Sequence, residues 1–419
     1  MEPLKVAIIG AGLGGLTLAK TLLQPSTGRP VEVCIYEAWD QWKVRGGALG
    51  LAAGARILRR LGLGEELAAK ANQVDGFRLH FHADGRELNS LNLPACTAMR
   101  TDLQKILVDS LPSSCIKLGH KLKEITEGSE EVTLEFENGA RASAHLVMAS
   151  DGIHSFVRQT CFGADQPEFT GFRVLYSLSS KPFRPDPTVA HIHWKEVDGA
   201  GYGMMDMTAG QGENRHDFMI IIMRSEEQVT DRWDSTLVKE RLQEFAERVA
   251  PDHPVLGKAV ECSEVCFDWG IYKQPTRESW ISPKGRVVLL GDAAHATAPF
   301  MGQGANMAMH DAFCLGEILM NDQITLQDGL KLYETWRKPY CEAVVSKSSM
   351  VGALHTASGF KAALRNKFLS LMLLRNMRAV VATDPTVRKP WEKSPSFFQQ
   401  LGRKIQGICS PKDAKAAKV

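Results

Sequence analysis

The chain of 419 residues lacks a CxxC pair, a strong charge of either sign, an internal repeat and an apolar run of membrane-spanning length. Its nine cysteines (Cys34, Cys96, Cys115, Cys161, Cys262, Cys266, Cys314, Cys341 and Cys409) are scattered, which gives neither a disulfide framework nor zinc-ligand spacing. No metal is expected, and a reducing, cytoplasmic setting fits. A formal net charge of +2 supplies no global field toward nucleic acid. No signal peptide is expected, because the apolar run 6–9 leads straight into a glycine turn. The apolar stretch 368–382 is broken by Arg375 and Arg378. It falls short of the ~20 residues that span a bilayer. It reads as an amphipathic helix packed on the body, with weak membrane association as the alternative.

What is present is ordinary globular composition, 44% hydrophobic and 23% charged. The opening residues read strand, glycine turn, helix (13–23) and strand (31–36), a βαβ unit. Segments 132–136 and 146–149 have strand character, the first followed by an Asn138-Gly139 turn. Between 165 and 275 the pattern changes to strands at 172–178, 189–194, 201–207 and 217–224, separated by Pro, Gly and Asp, with a helix at 237–249. The α/β pattern returns with a buried strand at 287–290, a helix from Gly304, and a long helical stretch 326–350 with a break allowed at Pro339. The expected architecture is a discontinuous α/β Rossmann-type domain (1–165 with 276–340, part of 61–140 joining the substrate side). A mainly antiparallel substrate-covering sheet (166–275), C-terminal helices (341–383), and a strap and loose tail (384–419) complete it.

Two glycine-rich segments carry the chemistry. Gly10-Ala11-Gly12-Leu13-Gly14-Gly15 lies between a strand and a helix. Gly10 permits the tight turn, Gly12 lets a pyrophosphate approach the backbone, and Gly15 allows close helix–strand packing. The helix N-terminus adds unpaired N–H groups and a positive dipole end. Glu37 ends the second strand about 20 residues on, where a carboxylate accepts from ribose hydroxyls and repels a 2′-phosphate. This pattern indicates a bound dinucleotide without separating NAD from FAD. The second segment, residues 291–312, begins Gly291-Asp292 after a buried strand, so its carboxylate can meet a polyol. Gly302 and Gly304 then allow close backbone approach ahead of a new helix.

The run GDAAHxxxPxxGQGxN at 291–306 resembles the single-component aromatic-hydroxylase family of FAD monooxygenases, the group containing para-hydroxybenzoate and salicylate hydroxylases. Between the two glycine segments, Asp151-Gly152 with Ser155 and Arg158 is similar to the family's Asp-Gly motif. The resemblance implies that Asp151 and Gly152 help to hold FAD and assist NAD(P)H binding, and that Arg100 contacts FAD. It implies that Arg45-Gly46-Gly47-Ala48 passes near the flavin, though the usual Pro-Asn after it is replaced by Ala52-Ala53. Pro299 and Phe300 would wall the reactive edge, with Gly302, Gly304, Ala305 and Asn306 at the helix start behind them. FAD would be held non-covalently. NADPH or NADH, binding without a Rossmann domain of its own, would reduce it, and dioxygen would add to give a flavin hydroperoxide that oxygenates a small aromatic or polycyclic substrate. Hydroxylation, epoxidation and Baeyer–Villiger insertion all remain open.

The substrate side is less legible. His191 and His193 share one strand face, and one histidine can serve as a general base near neutral pH. Tyr202, Met204 and Asp206 alternate onto one face as a possible pocket lining. Many relatives place an arginine where this chain has Tyr176, and Arg173 is the candidate to supply a cation instead. His295, Trp269 and Trp280 read as structural. The competing classes are a flavin halogenase, whose WxWxIP element survives only as Trp280-Ile281-Ser282-Pro283, a non-oxygenating NAD(P)H oxidase, reductase or flavin-scaffold isomerase, and a non-enzymatic FAD-binding protein. Oligomeric state is not readable.

Overall fold

A computed structural model of the chain describes residues 2–371, apart from residues 27, 43–45, 82–86, 92–93, 164–165, 227 and 229–234. Arg45, most of the 368–382 stretch and the strap and tail therefore lie outside the described residues. The first unit is a parallel five-stranded sheet in the order Val287–Leu289, Leu146–Ala149, Leu4–Ile9, Val31–Tyr36, Ile116–Lys117. Leu4–Ile9 is central, and every side chain except Lys5 is buried, as expected of a strand covered on both faces. The helix Leu13–Leu22 returns over the sheet and packs against the helix Gly304–Met320. The sequence therefore brings its two glycine-rich turns to the same edge of one sheet.

The second unit is a seven-stranded sheet, ordered Val265–Lys273, Glu168–Ser179, His216–Arg224, Ala200–Ala209, Val189–Val197, Gly76–Phe81, Glu87–Leu91. All its pairings are antiparallel except that of Val189–Val197 with Gly76–Phe81. Two of its strands thus come from the first part of the chain. One face is covered by the helices Ser235–Arg248 and Leu256–Cys262, which bury Leu175, Met204, Met219 and Ile221 against Val238 and Leu242. The other face, carrying Val174, Tyr176, Met207, Phe218 and Ile222, packs toward Met99, Ala298 and Phe300 of the flanking segments.

The helix Leu326–His355 joins the two units. Thr325 caps it by accepting from Asp328 N–H at 3.1 Å, and the helix continues through Pro339 without ending there. Tyr333 donates to Leu289 O of the parallel sheet at 3.2 Å, while Ser348 donates to Ala298 O at 2.6 Å. A further helix, Gly359–Leu371, follows. Among the described residues no helix is long and apolar enough to cross a membrane.

Candidate functional site

The first glycine turn is shaped by close backbone approach. Gly10 has φ +100° and donates to Tyr36 O at 2.8 Å, and a Cβ on it would lie 2.5 Å from Ser150 O. A Cβ on Gly15 would lie 2.2 Å from Gly10 O, so the helix can begin directly beneath the turn only if this residue has no side chain. Around Gly12, by contrast, a Cβ would meet nothing within 4 Å, which leaves the backbone open toward the cavity described below. Glu37 closes the turn from the next strand: Ala11 N–H donates to Oε2 at 2.8 Å and Trp39 N–H to Oε1 at 3.1 Å.

Asp151 acts first on its own helix. It accepts from Ser155 Oγ at 2.5 Å and from Val157 N–H at 3.1 Å, at the start of Phe156–Phe162. Burial pushes its carboxyl above the ordinary range against those bonds. Arg158, fully buried, donates to Ala293 O at 3.0 Å, Ala294 O at 3.1 Å and Pro275 O at 2.7 Å. The Asp151-Gly152 turn is thereby tied to the Asp292 turn.

That second turn rests on a buried ionic network. Asp311 accepts from His295 Nε2 at 2.5 Å, from Arg337 Nε at 2.7 Å and from Gly291 N–H at 3.3 Å. All three side chains are under 5% exposed. Burial alone would raise the Asp311 carboxyl, but His295 and Arg337 hold it down to about 2. His295 is structural, as its sequence context implied. Asp292 itself is exposed to the cavity and its carboxylate makes no hydrogen bond among the described residues. Loss of solvation raises its pKa, with His295 and Arg100 acting in the opposite sense.

Asn306 sits behind the cavity wall as a clamp. Its Oδ1 accepts from Ala52 N–H at 2.9 Å and Gly54 N–H at 3.0 Å, and its Nδ2 donates to Gly50 O and Gly302 O, both at 2.9 Å. Tyr176, where the family resemblance led to the expectation of an arginine, is buried, and its hydroxyl accepts from Ala48 N–H at 2.8 Å. Replacing Asn306 with alanine strands four backbone groups. The expected loss is about 1–3 kcal/mol in thermal or urea unfolding, with weaker flavin retention. A variant as stable as the parent would show that the clamp is not needed.

These turns open on one continuous cavity of about 1610 Å³. Gly10, Gly12, Glu37, Gly47, Ala48 and Arg100 line it, as do Asp151, Gly152, Gly291 and Asp292 and the segment Pro299, Gly302, Gly304, Ala305. Gly15 and Asn306 act from behind the wall. The residues fit a dinucleotide flavin. Two helix N-termini offer N–H groups, Glu37 and Asp292 offer carboxylates to hydroxyls, and Arg100 is a cation whose pKa burial lowers while Asp292 and Glu37 raise it. The remainder of the cavity is an apolar chamber walled by Phe77, Leu79, Val174, Ile192, Phe218, Ile220, Trp269 and Phe300.

Tyr202, His193 and Arg173, the catalytic candidates from sequence, lie on the opposite face of the large sheet. Side chains alternate along a strand, and it is Val174, Tyr176, Ile192, Trp194, Met205 and Met207 that reach the chamber. Arg173 pairs with Asp268, which Arg241 also engages at 2.6 Å. Tyr202 packs edge-on against Phe245 of the covering helix, with ring centroids 5.3 Å apart. His193 stacks on His80 at 4.5 Å and lies 4.3 Å from His253, with Asp206 at 3.6 Å. Sequence spacing paired His191 with His193 but gave no hint that His80 and His253 join them. His253 Nδ1 accepts from Leu256 N–H at 3.2 Å, and His80 Nε2 shares a 2.8 Å bond with His191 Nδ1.

A sequence profile described as the FAD binding domain matches residues 3–348. The chain belongs to the FAD-binding domain family. Within it, the chain is 28% identical over 386 residues to 3-amino-4-hydroxybenzoate 2-monooxygenase PtnB3 of Streptomyces platensis, covering 87% of this chain and 91% of that protein. It is 26% identical to 6-hydroxynicotinate 3-monooxygenase of Pseudomonas fluorescens, over 75% and 83% of the two chains. The fold is similar to that of Klebsiella pneumoniae HpxO complexed with FAD and uric acid, with a TM-score of 0.75, 21% identity and coverage of 88% and 92%. It is also similar to a salicylate hydroxylase substrate complex, with a TM-score of 0.74, 22% identity and coverage of 92% and 97%. This member of the FAD-binding domain family is an FAD-dependent monooxygenase, and hence an oxidoreductase.

Proposed function

We propose that the protein uses NADPH or NADH and dioxygen to hydroxylate a small aromatic or polycyclic molecule held in the apolar chamber. The observation that carries this reading is the continuity of the cavity: the glycine-turn wall and the aromatic-lined chamber are one space, with Pro299 and Phe300 in its lining. FAD, when bound, supplies the redox chemistry that accepts reducing equivalents and passes one oxygen atom onward. The chain supplies the rest. Gly304 and Ala305 present the positive end of the Gly304–Met320 helix to the negative charge that reduction brings. Tyr176, through Ala48, fixes the same segment that Asn306 of that helix clamps from the other end. Val174, Phe218, Ile222 and Trp269 exclude water and orient an aromatic ring.

Anaerobic mixing with NADPH and with NADH, followed by an oxygen pulse with and without aromatic substrates, tests the reading. At least one nucleotide is expected to bleach the flavin spectrum, and at least one substrate to yield oxygenated product. A flavin that neither nucleotide reduces would overturn it, and stoichiometric hydrogen peroxide with every substrate would favour an oxidase.

A further inference from the structure

Three imidazoles meet on the face of the large sheet that is turned away from the chamber. His191 and His193 are two residues apart on the strand Val189–Val197, and His80, on Gly76–Phe81, is the ladder partner of His193. Two-residue spacing on one strand and a matched position on the next put all three side chains on one face. One ligand nitrogen from each ring lies within 4.8 Å of the other two. The rings are close to parallel, His80 at 22° to His191 and at 11° to His193. His193 is buried, whereas His80 and His191 are half-buried, so the rim of the group reaches solvent.

The 2.8 Å contact between His80 Nε2 and His191 Nδ1 requires one nitrogen to donate and the other to accept. A metal ion in place of the shared proton would take a lone pair from both. Burial, then repulsion from His193 and His191, lowers the His80 pKa to about 4, and burial lowers that of His191. Both rings therefore offer neutral nitrogens, the form that binds metal. Zinc–nitrogen bonds of about 2.0–2.1 Å in a tetrahedron set the ligand atoms roughly 3.3 Å apart. That value falls inside the separations found here, and the broad χ2 torsion of histidine lets the rings tilt toward one point. The cations that act on His191 are already ion-paired, Arg184 with Asp206 at 2.5 Å and Arg78 with Glu87 at 2.9 Å. Asp206 Oδ2, 3.6 Å from His193 Nε2, places a carboxylate beside that ring, as the carboxylates behind ligating histidines do. A second trio, His193, Asp206 and His253, shares one ring with the first. There Arg184 engages Asp206 and Leu256 N–H engages His253 Nδ1, which leaves the three histidines as the better ligand set.

We propose that His80, His191 and His193 form a binding site for a divalent transition-metal ion of the zinc class, with water completing the coordination. The site stands apart from the flavin cavity and does not depend on the monooxygenase reading. Its ion would bridge Gly76–Phe81 and Val189–Val197, the parallel pairing of the sheet. Sequence spacing does not reveal it because His80 and His191 are 111 residues apart.

The test uses the FAD-loaded full chain, stripped with a chelator and titrated with zinc chloride, read by calorimetry and by the zinc retained after gel filtration. One equivalent is expected to bind. His80→Gln and His191→Gln should each weaken zinc binding about a hundredfold or more, at least the cost of losing a group behind a ligand. Both variants should keep the parental flavin content, since neither residue lines the cavity. A parent that retains no zinc, or variants that bind it as tightly as the parent, as a cysteine-held ion would, overturn the proposal. If either variant fails to fold, electron paramagnetic resonance of the Cu2+-loaded parent decides. Coupling to three imidazole nitrogens supports the site, and coupling to fewer overturns it.

Discussion

An Asp292→Ala variant is expected to purify as a folded protein that has lost most of its FAD. The carboxylate projects into the cavity and makes no hydrogen bond among the described residues, so its removal breaks nothing in the fold. It is held at the end of a buried strand by a turn whose geometry comes from Gly291, at φ +61°, and from the Asp311 network behind it. Hydrogen bonds to a charged group contribute about 1.5–3 kcal/mol, so each one lost to the flavin weakens binding by roughly tenfold to a hundredfold. Flavin absorbance per mole of chain, together with a thermal melt, checks both halves of the expectation. Parental flavin content would mean that Asp292 does not touch the cofactor, and a collapsed melt would mean that it supports the fold instead.

Asp311→Asn should act in the opposite way, on stability before function. The substitution leaves His295 and Arg337 buried against a neutral amide, and breaking a buried pair by removing one partner costs about 3–5 kcal/mol. The pH dependence follows from both partners. The Asp311 carboxyl is depressed from its ordinary 3.8 to about 2, so its contribution is present above pH 3.8 and fades as pH falls toward 2. Burial disfavours a charged His295, but Cys341 and Asp311 overcome it and push its pKa well above the ordinary 6.5. Its contribution is therefore full below pH 6.5 and declines as pH rises through the elevated value. The gap in stability between parent and variant should be widest between those two ordinary values, pH 3.8 and 6.5. Urea unfolding of both proteins across pH 3 to 9 measures it. A gap under about 1 kcal/mol throughout that window would place the network outside the usual cost of a broken buried pair.

The cofactor half of the molecule was legible from sequence because its constraints are local. A turn that approaches another backbone within Cβ distance must be glycine, and Gly10 and Gly15 write that requirement into adjacent positions. The strand before them reads as continuously apolar because it is covered on both sides. Asp292 follows from the same logic, a carboxylate delivered by a buried strand ahead of a glycine-flanked helix. The chamber was not legible in this way. Alternation correctly grouped Tyr202 with Asp206 and His191 with His193, but periodicity cannot say which face of a sheet meets a cavity and which meets a covering helix. The helix Ser235–Arg248 decided that, and its docking depends on residues far apart in the chain. His355 and Arg365, which line the cavity from the helices Leu326–His355 and Gly359–Leu371, went unnoticed because those helices carry no motif at these positions. A signal existed in Gly201 and Gly203, two glycines inside a strand, which mark the close approach of another segment. A Cβ on Gly201 would lie 2.4 Å from Ala357 O, beside the place where the His355 ring seats.

The unbroken helix Leu326–His355 works as a ruler. Arg337 anchors one part of it to the turn that presents Asp292, and His355 ends it in the cavity lining beside Gly203. At about 1.5 Å per residue these two marks are roughly 27 Å apart on a single rod. Molecular reach across the chamber is thereby set by backbone pitch and not by any adjustable loop. Deleting one residue between the marks would shorten the rod by about 1.5 Å and rotate its far end by about 100°.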